Sequence, residues 1–138
     1  MKELISITTT KVRFSEVDSM QIVWHGNYVK FLEDGREAFG KQYGLGYYDV
    51  YDQGFMIPIV KVDVDYKNQV KYGDELEIKT IFKSVEAAKI YFNYEIRRLS
   101  DKKVVAKATT IQVFLDTNGE LQLTNPEFYS QWKTKHGL

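Results

Sequence analysis

The stretch that decides the fold is Val12–Gly40, VRFSEVDSMQIVWHGNYVKFLEDGREAFG. It predicts the end of a strand, an irregular loop and then an amphipathic helix. After the loop, apolar and small side chains recur at the spacing of one buried helix face. These residues are Tyr28, Phe31, Leu32, Gly35, Ala38 and Phe39. The sequence therefore predicts one long helix that is buried on one side.

An acid and an imidazole precede this helix. Asp18 and His25 lie in the loop, and Asn27 has a side-chain oxygen suited to an N-cap. The free amides of a first helical turn, together with the macrodipole, favour negative charge. The pattern predicts a catalytic site at the start of the helix. The structural alternative is a loop aspartate that accepts hydrogen bonds from backbone amides, next to a histidine with no chemical role.

The chain on either side of this stretch predicts mainly strands. Ile5–Phe14 is rich in threonine and β-branched residues, and its apolar phase shifts, which indicates a bulge or a bend. From Met56 the period changes to two, so each later strand has one buried face. The predicted buried residues are Val60, Val62, Val64 and Tyr66, then Leu76, Ile78, Thr80 and Phe82, then Ala88, Ile90, Phe92, Tyr94 and Ile96.

The last third predicts a central strand and a short helix. Val104–Leu115 is apolar or small on both faces, as in a strand covered on two sides. Asn118-Gly119 predicts a tight turn before a short strand at Leu121–Leu123. Asn125-Pro126 then predicts the start of a C-terminal helix, with Asn125 as the capping residue, Pro126 at the first helical position, and Phe128 and Trp132 on one face.

This order predicts an α+β fold in which an antiparallel sheet of five to six strands wraps around one long central helix. Residues 1–138 are expected to form a single domain, since the sequence contains no repeat, linker or low-complexity tract. The edge or the second face of such a sheet needs a partner chain, so a homo-oligomer is expected.

Composition excludes several classes of function. Nineteen basic residues balance nineteen acidic ones, so nothing favours a nucleic acid or an anionic membrane as partner. No apolar run approaches the roughly 18 residues that span a bilayer. The N-terminus lacks the apolar stretch of a signal peptide, which favours the cytoplasm. Without cysteine, a thiolate nucleophile and a cysteine metal site are both excluded.

The segment DSMQIVWHGNY, from Asp18 to Tyr28, resembles the signature of the 4-hydroxybenzoyl-CoA thioesterase-like (YbgC-like) acyl-CoA thioesterases of the hotdog fold. In that family a His or Tyr follows the Asp at this spacing, and Asn/Ser-Tyr then opens the central helix. The similarity extends through Pro58, Tyr66 and Tyr72-Gly73-Asp74, and covers about residues 12–115. Two positions depart from the family: Met20-Gln21 replaces its loop glycine, and Gln69 replaces its usual proline.

The resemblance implies thioester hydrolysis. Asp18 would be the general base for water or the direct nucleophile, and the His25 backbone N–H would polarise the thioester carbonyl. The His25 side chain would contact the reacting groups or orient Asp18, and Glu33 would be the alternative acid or base. The implied substrate-binding residues are Val23, Trp24, Gly26, Asn27, Tyr28, Glu33, Pro58, Ile59, Val60 and Tyr66.

The resemblance also implies the partners. The substrate would be an acyl-CoA or acyl-carrier-protein thioester, with CoA as part of the substrate and no metal or organic cofactor. The protein would form a homodimer that pairs further into a homotetramer, and residues 58–66 of the partner subunit would line the site. Two alternatives stay open: an acyl-thioester hydratase or dehydratase, and a non-enzymatic module that binds acyl groups or a carrier protein.

Overall fold

The computed structural model describes residues 3–138. Its strands are β1 (Leu4–Lys11), β2 (Phe55–Met56), β3 (Ile59–Tyr66), β4 (Glu75–Lys83), β5 (Lys89–Arg98), β6 (Val104–Val113) and β7 (Leu115–Asp116). Its helices are α1 (Asn27–Tyr43), α2 (Tyr47–Tyr51) and α3 (Glu127–Lys135), and a short 3-10 turn covers Phe14–Glu16. The predicted order of strand, long helix, antiparallel strands and C-terminal helix is confirmed.

The main sheet is antiparallel and has five strands, in the order β1-β4-β5-β6-β3. β2 pairs with β7 in a separate two-stranded ribbon. Directly paired residues of antiparallel strands share a face, so the buried residues of β4 and β5 form one continuous apolar surface. These residues are Leu76, Ile78, Thr80, Phe82, Ile90, Phe92, Tyr94 and Ile96. The period-two prediction is confirmed for both strands.

The helix α1 packs against β1 and β4 through the predicted face. Tyr28, Phe31, Leu32, Gly35 and Phe39 are buried, whereas Ala38 is half-buried. A Cβ added to Gly35 would lie 2.4 Å from Thr80 Oγ1 and 2.9 Å from Ile78 Cγ2. The close approach of α1 to β4 therefore requires glycine at this position.

A second helix covers the same sheet face. Tyr129 and Trp132 of α3 are buried, and the Trp132 ring centroid lies 5.1 Å from that of Phe82. Trp132 Nε1 also donates a hydrogen bond to the Tyr43 carbonyl oxygen at the end of α1 (2.7 Å). The fold class is confirmed, but the core is covered by two helices and not by one central helix, because α3 packs on the same sheet face as α1 through Tyr129 and Trp132.

The predicted buried face of β3 is wrong within a single chain. Val60, Val62 and Tyr66 are 58%, 40% and 50% exposed, and Val64 is only half-buried. The period-two pattern is present, but β3 forms one edge of the sheet, and α1 packs mainly against β1 and β4 near the opposite edge. A similar correction applies to β6, whose second face is half-buried and not fully covered.

The two predicted asparagine caps are also wrong. Gly26 already has helical backbone angles (φ −66°, ψ −23°), so the Asn27 side chain lies past the cap position. It donates instead to the Glu16 carbonyl oxygen (2.8 Å). At α3, Pro126 occupies the cap position, and Asn125 makes no capping hydrogen bond within residues 3–138.

Two strand predictions need correction. β1 ends at Lys11 and keeps an unbroken register with β4, so neither the bulge nor the extension to Phe14 is present. Leu121 forms only an isolated bridge with Leu115, and Leu121 and Leu123 are exposed. The turn at Asn118-Gly119 is confirmed, with Gly119 at φ 78°.

Candidate active site

The loop before α1 forms a narrow turn that presents Asp18. Val17 pairs with Val23, and the Asp18 amide donates to the Ile22 carbonyl oxygen at 2.8 Å. One carboxylate oxygen of Asp18 accepts the Met20 amide (2.8 Å). Its other oxygen accepts no hydrogen bond from residues 3–138, and the side chain is half-buried. The turn therefore fixes the carboxylate and leaves one oxygen available.

Gln21 closes this turn in a conformation that favours glycine. Its φ is +66°, and the Gln21 amide donates to the Asp18 carbonyl oxygen (2.9 Å). L residues adopt this region at a cost of about 1 kcal/mol or more. The departure from the family's loop glycine thus keeps the backbone shape that glycine would give, with a side chain that lies exposed.

The start of α1 leaves two amides free. The amides of Asn27 and Tyr28 donate to the Trp24 and His25 carbonyl oxygens. Those of His25 and Gly26 have no acceptor among the described residues 3–138. A Cβ on Gly26 would lie 2.2 Å from the Trp24 ring, so the exposed indole packs directly over this glycine. The arrangement offers two unpaired donors at the positive end of the helix.

Glu16 braces the loop against α1. Its carboxylate is 3% exposed and accepts hydrogen bonds from the Arg13 amide (2.7 Å) and Lys30 Nζ (2.8 Å). Its carbonyl oxygen accepts the Trp24 amide (3.0 Å). Burial raises the pKa of Glu16, but the hydrogen bonds and positive charges of Lys30 and Arg13 outweigh burial and hold that pKa below its ordinary value.

Asp18 and the start of α1 line one open cleft of about 290 Å³. The cleft is lined by Asp18, Met20, Ile22, Val23, His25, Tyr28, Tyr66, Lys67, Asn68 and Gln69. Tyr66 Oη donates to the His25 carbonyl oxygen (3.0 Å), and the Tyr66 ring meets the Tyr28 ring edge to face at 4.9 Å. These contacts hold the end of β3 against the start of α1.

Five of the predicted site residues therefore come together: Asp18, Val23, His25, Tyr28 and Tyr66. Trp24, Gly26 and Asn27 lie beside the cleft, at or just before the first residue of α1. Glu33 is exposed further along α1 and does not line the cleft. Pro58, Ile59 and Val60 lie at the other end of β3, where their predicted role as a wall contributed by a partner subunit stays a prediction.

The sequence did not predict the far wall of the cleft. Lys67, Asn68 and Gln69 follow β3, and the amides of Lys67 and Asn68 both donate to the Val105 carbonyl oxygen. Arg98 also supports this wall by donating to the Gln69 carbonyl oxygen, while its guanidinium pairs with Asp101. That ion pair lowers the pKa of Asp101 to about 2. The sequence signal was only a polar run after an alternating strand, which indicates a loop but no contact.

Two further observations concern the residues that the structure describes. Within positions 3–138, no three His, Asp or Glu side chains are placed to hold a metal ion. Over the same range, no helix combines the length and the apolar character needed to cross a bilayer.

Known proteins resemble the chain in both sequence and structure. A model of the thioesterase-like superfamily matches residues 12–132. YneP of Bacillus subtilis (strain 168), a predicted acyl-CoA thioesterase, is 27% identical over 132 residues, which cover 96% of this chain and 95% of YneP.

Solved structures share the fold. The DHNA-CoA thioesterase from Staphylococcus aureus superposes with a TM-score of 0.86 at 23% identity, covering 96% of this chain and 91% of that one. The 4-hydroxybenzoyl CoA thioesterase from Pseudomonas sp. strain CBS-3 superposes with a TM-score of 0.81 at 24% identity, covering 93% and 98%. The resemblance to hotdog-fold thioesterases is confirmed, and so is the enzyme class that it implied, a thioester hydrolase. The chain therefore belongs to the thioesterase-like superfamily.

Proposed function

We propose that this protein hydrolyses an acyl-CoA thioester in the cleft at the start of α1, with Asp18 as the reacting carboxylate. The observation that carries the proposal is a set of three groups with free hydrogen-bonding capacity in the loop and at the start of α1. One Asp18 oxygen and the amides of His25 and Gly26 lack partners in the described residues 3–138, and Asp18 and His25 line the same cleft. A carbonyl lodged there meets a base or nucleophile on one side and donors on the other.

Two routes fit this arrangement. In the first, Asp18 takes a proton from water while the water oxygen bonds to the thioester carbon. In the second, the Asp18 oxygen attacks that carbon and forms an anhydride that water later hydrolyses. In both routes the carbonyl oxygen becomes an oxyanion, the C–S bond then breaks, and the thiolate leaves and takes up a proton. The free amides stabilise the oxyanion, each by about 3 kcal/mol in the transition state.

Neither route uses a metal or an organic cofactor, and CoA enters only as part of the substrate. The His25 ring lies at the cleft and is exposed, so it is available to contact the carbonyl or the leaving thiolate. Glu33, exposed on α1, is the alternative acid or base if Asp18 is not the reacting group. The proposed place of action is the cytoplasm.

The substrate class follows from the relatives and from the cleft. The two solved relatives act, by name, on DHNA-CoA and 4-hydroxybenzoyl CoA. The cleft here carries the aromatic rings of His25, Tyr28 and Tyr66, and aromatic rings pack well edge to face against other rings. A substrate panel should therefore contain aroyl-CoAs beside short, medium and long alkyl acyl-CoAs, and an acyl-carrier-protein thioester.

The proposed functional unit is a homodimer formed through β3. This edge strand exposes Val60, Val62 and Tyr66 and has unpaired backbone groups along one side, which is the condition under which edge strands pair with another chain. Residues 58–66 of the partner subunit would then complete the wall of the cleft, and two dimers would pair into a tetramer.

The test is thiol release from each panel member by the wild type, Asp18→Asn and Asp52→Asn. The Asp18→Asn variant keeps the shape of the side chain but cannot take a proton or attack, so kcat/KM should fall by a factor of about 100 or more. Asp52 is an exposed carboxylate directly after α2, outside the cleft and outside β3, and serves as the control. Asp18→Asn turnover equal to that of wild type, with the fold intact, would contradict the role of Asp18.

The same assay separates the alternatives. A hydratase or dehydratase would change the absorbance of an enoyl thioester without releasing thiol. A binding module would bind acyl-CoA tightly and turn over none of the panel.

A further inference from the structure

Tyr28 is the second residue of α1 and is nearly buried at 4% exposure. Its ring packs edge to face against Phe31 at 5.8 Å and Tyr66 at 4.9 Å between centroids. The residue nevertheless lines the cleft. The ring is therefore fixed in the core while part of the side chain faces the space where substrate would bind.

The Tyr28 hydroxyl differs from those of the other tyrosines packed in the core. A buried tyrosine hydroxyl usually has a hydrogen-bond partner. The hydroxyls of Tyr43, Tyr94 and Tyr129 each have one, on Ile5, Thr110 and Lys89 respectively. Within residues 3–138, the Tyr28 hydroxyl has none, yet its oxygen is not among the sealed atoms that lack a partner. The hydroxyl therefore opens to the cleft.

Its position relates this hydroxyl to the proposed reacting groups. Tyr28 follows His25 by three residues, and its amide donates to the His25 carbonyl oxygen (3.3 Å). Both line the cleft that Asp18 also faces. Burial and the neighbouring Tyr66 hydroxyl raise the pKa of Tyr28, although the Arg98 charge opposes them. Tyr28 thus keeps its proton and remains a donor at neutral and moderately alkaline pH.

We propose that the Tyr28 hydroxyl donates a hydrogen bond to the thioester carbonyl oxygen as that oxygen becomes an oxyanion, beside the amides of His25 and Gly26. The inference rests on the proposed thioester hydrolysis and assigns a third donor to it. No proton is transferred from Tyr28: its O–H bond persists, and the hydroxyl only stabilises the developing negative charge on the carbonyl oxygen.

The first experiment compares Tyr28→Phe with wild type in thiol release. Phenylalanine keeps the ring contacts and removes a hydroxyl that no described residue bonds, so the melting temperature should not fall. We expect kcat to drop by about tenfold to a hundredfold while KM changes less than about threefold. Tyr43→Phe is the matched control: it loses a hydrogen bond to Ile5 far from the cleft, so its melting temperature falls and its kcat holds. A Tyr28→Phe kcat equal to that of wild type overturns the inference.

A second readout does not depend on turnover. A trifluoromethyl ketone analogue of acyl-CoA takes up a nucleophile to become a tetrahedral oxyanion, whereas an alkyl-CoA thioether has no carbonyl. Tyr28→Phe should raise the dissociation constant of the ketone analogue about tenfold or more and leave that of the thioether unchanged. Equal losses for both, or none for either, overturn the inference. If Tyr28→Phe weakens only the ketone analogue but wild type releases no thiol from any panel member, the proposed function is refuted and the role of Tyr28 is not. If wild type binds neither analogue, both the proposed function and the role of Tyr28 are refuted.

Discussion

At the scale of single residues, the loop that presents Asp18 takes its shape from Glu16. The Glu16 carboxylate joins the Arg13 amide to Lys30 of α1, while its carbonyl oxygen accepts the Trp24 amide and the Asn27 side chain. One buried residue thus joins the two ends of the loop to the helix. Loss of its charge should loosen the loop and the helix start together.

Glu16→Gln tests this role. The variant loses the charge on the hydrogen bonds to Lys30 and Arg13, so the free energy of unfolding at pH 7 should fall by about 1–3 kcal/mol. Because the folded pKa lies below the unfolded value of 4.5, the contribution is present above that value and disappears as pH falls through the folded pKa. Urea denaturation of both proteins from pH 3 to pH 7 measures the difference, which should shrink in acid.

Glu37→Gln is the control for this experiment. Glu37 pairs with Lys41 four residues along the same helix, but both side chains are about two-thirds exposed or more. Its loss should cost less than about 0.5 kcal/mol. A Glu16→Gln variant as stable as Glu37→Gln at every pH would show that the contacts of the Glu16 carboxylate with Arg13 and Lys30 do not stabilise the fold.

The sequence predicted part of this residue-scale arrangement. Asp18 and His25 were predicted correctly as neighbours at the helix start, because the loop between them is short and the helix is strongly periodic. Glu16 was missed, since a single acid in a polar loop does not predict which cation or amide it meets. Asn27 was assigned the wrong partner for a related reason: an N-cap depends on which residue first becomes helical.

At the scale of elements, the contact between α1 and β4 sets the helix over one side of the sheet. Gly35 lets the two backbones approach so closely that an added methyl group would overlap Thr80 Oγ1 and Ile78 Cγ2. Both contacts are to buried side chains in the core.

Gly35→Ala should destabilise the protein by about 1–3 kcal/mol through overpacking. The sign of the change in unfolding free energy distinguishes overpacking from helix propensity. In an exposed helix position, where propensity alone acts, alanine stabilises by about 1 kcal/mol relative to glycine. Thermal and urea unfolding measure the change. Pairing the variant with Thr80→Ala removes the nearest overlapping atom, so part of the loss should return. A Gly35→Ala protein more stable than wild type would contradict the close contact.

The elements themselves were largely predictable, and their surroundings were not. The buried alternation of β4 and β5 and the apolar face of α1 matched the sequence pattern, because period and composition determine both. The same alternation in β3 gave a face that is exposed here. Periodicity identifies an apolar face but not the neighbour that covers it, and this depends on strand order. The predicted strand at Leu121–Leu123 is absent, because only Leu121 pairs with another segment, through an isolated bridge to Leu115.

At the scale of the whole molecule, the exposed edge at β3 supports the proposed dimer. Val62→Lys should produce a monomer, because pairing at this edge would bury an unpaired charge at a cost of several kcal/mol. Sedimentation or light scattering measures the mass, and the dissociation constant should rise by about a hundredfold or more. Thiol release should fall with it, since the partner's wall would be absent.

Ile7→Lys is the matched control for the dimer. Ile7 is 56% exposed on β1, the opposite edge of the same sheet. The control should keep the mass of wild type. If Ile7→Lys dissociates the protein and Val62→Lys does not, the proposed edge is the wrong one, and wild type that sediments as a monomer contradicts the dimer altogether.

The placement of the two tryptophans has a practical consequence. Trp24 is 51% exposed over Gly26 beside the cleft, whereas Trp132 is 8% exposed on the buried face of α3. Their fluorescence should differ in emission maximum and in quenching by acrylamide, so a Trp132→Phe protein would carry a single tryptophan, beside the site. In that variant, ligand titrations followed by tryptophan emission report on the site alone, whereas in wild type the buried Trp132 adds a signal from the core.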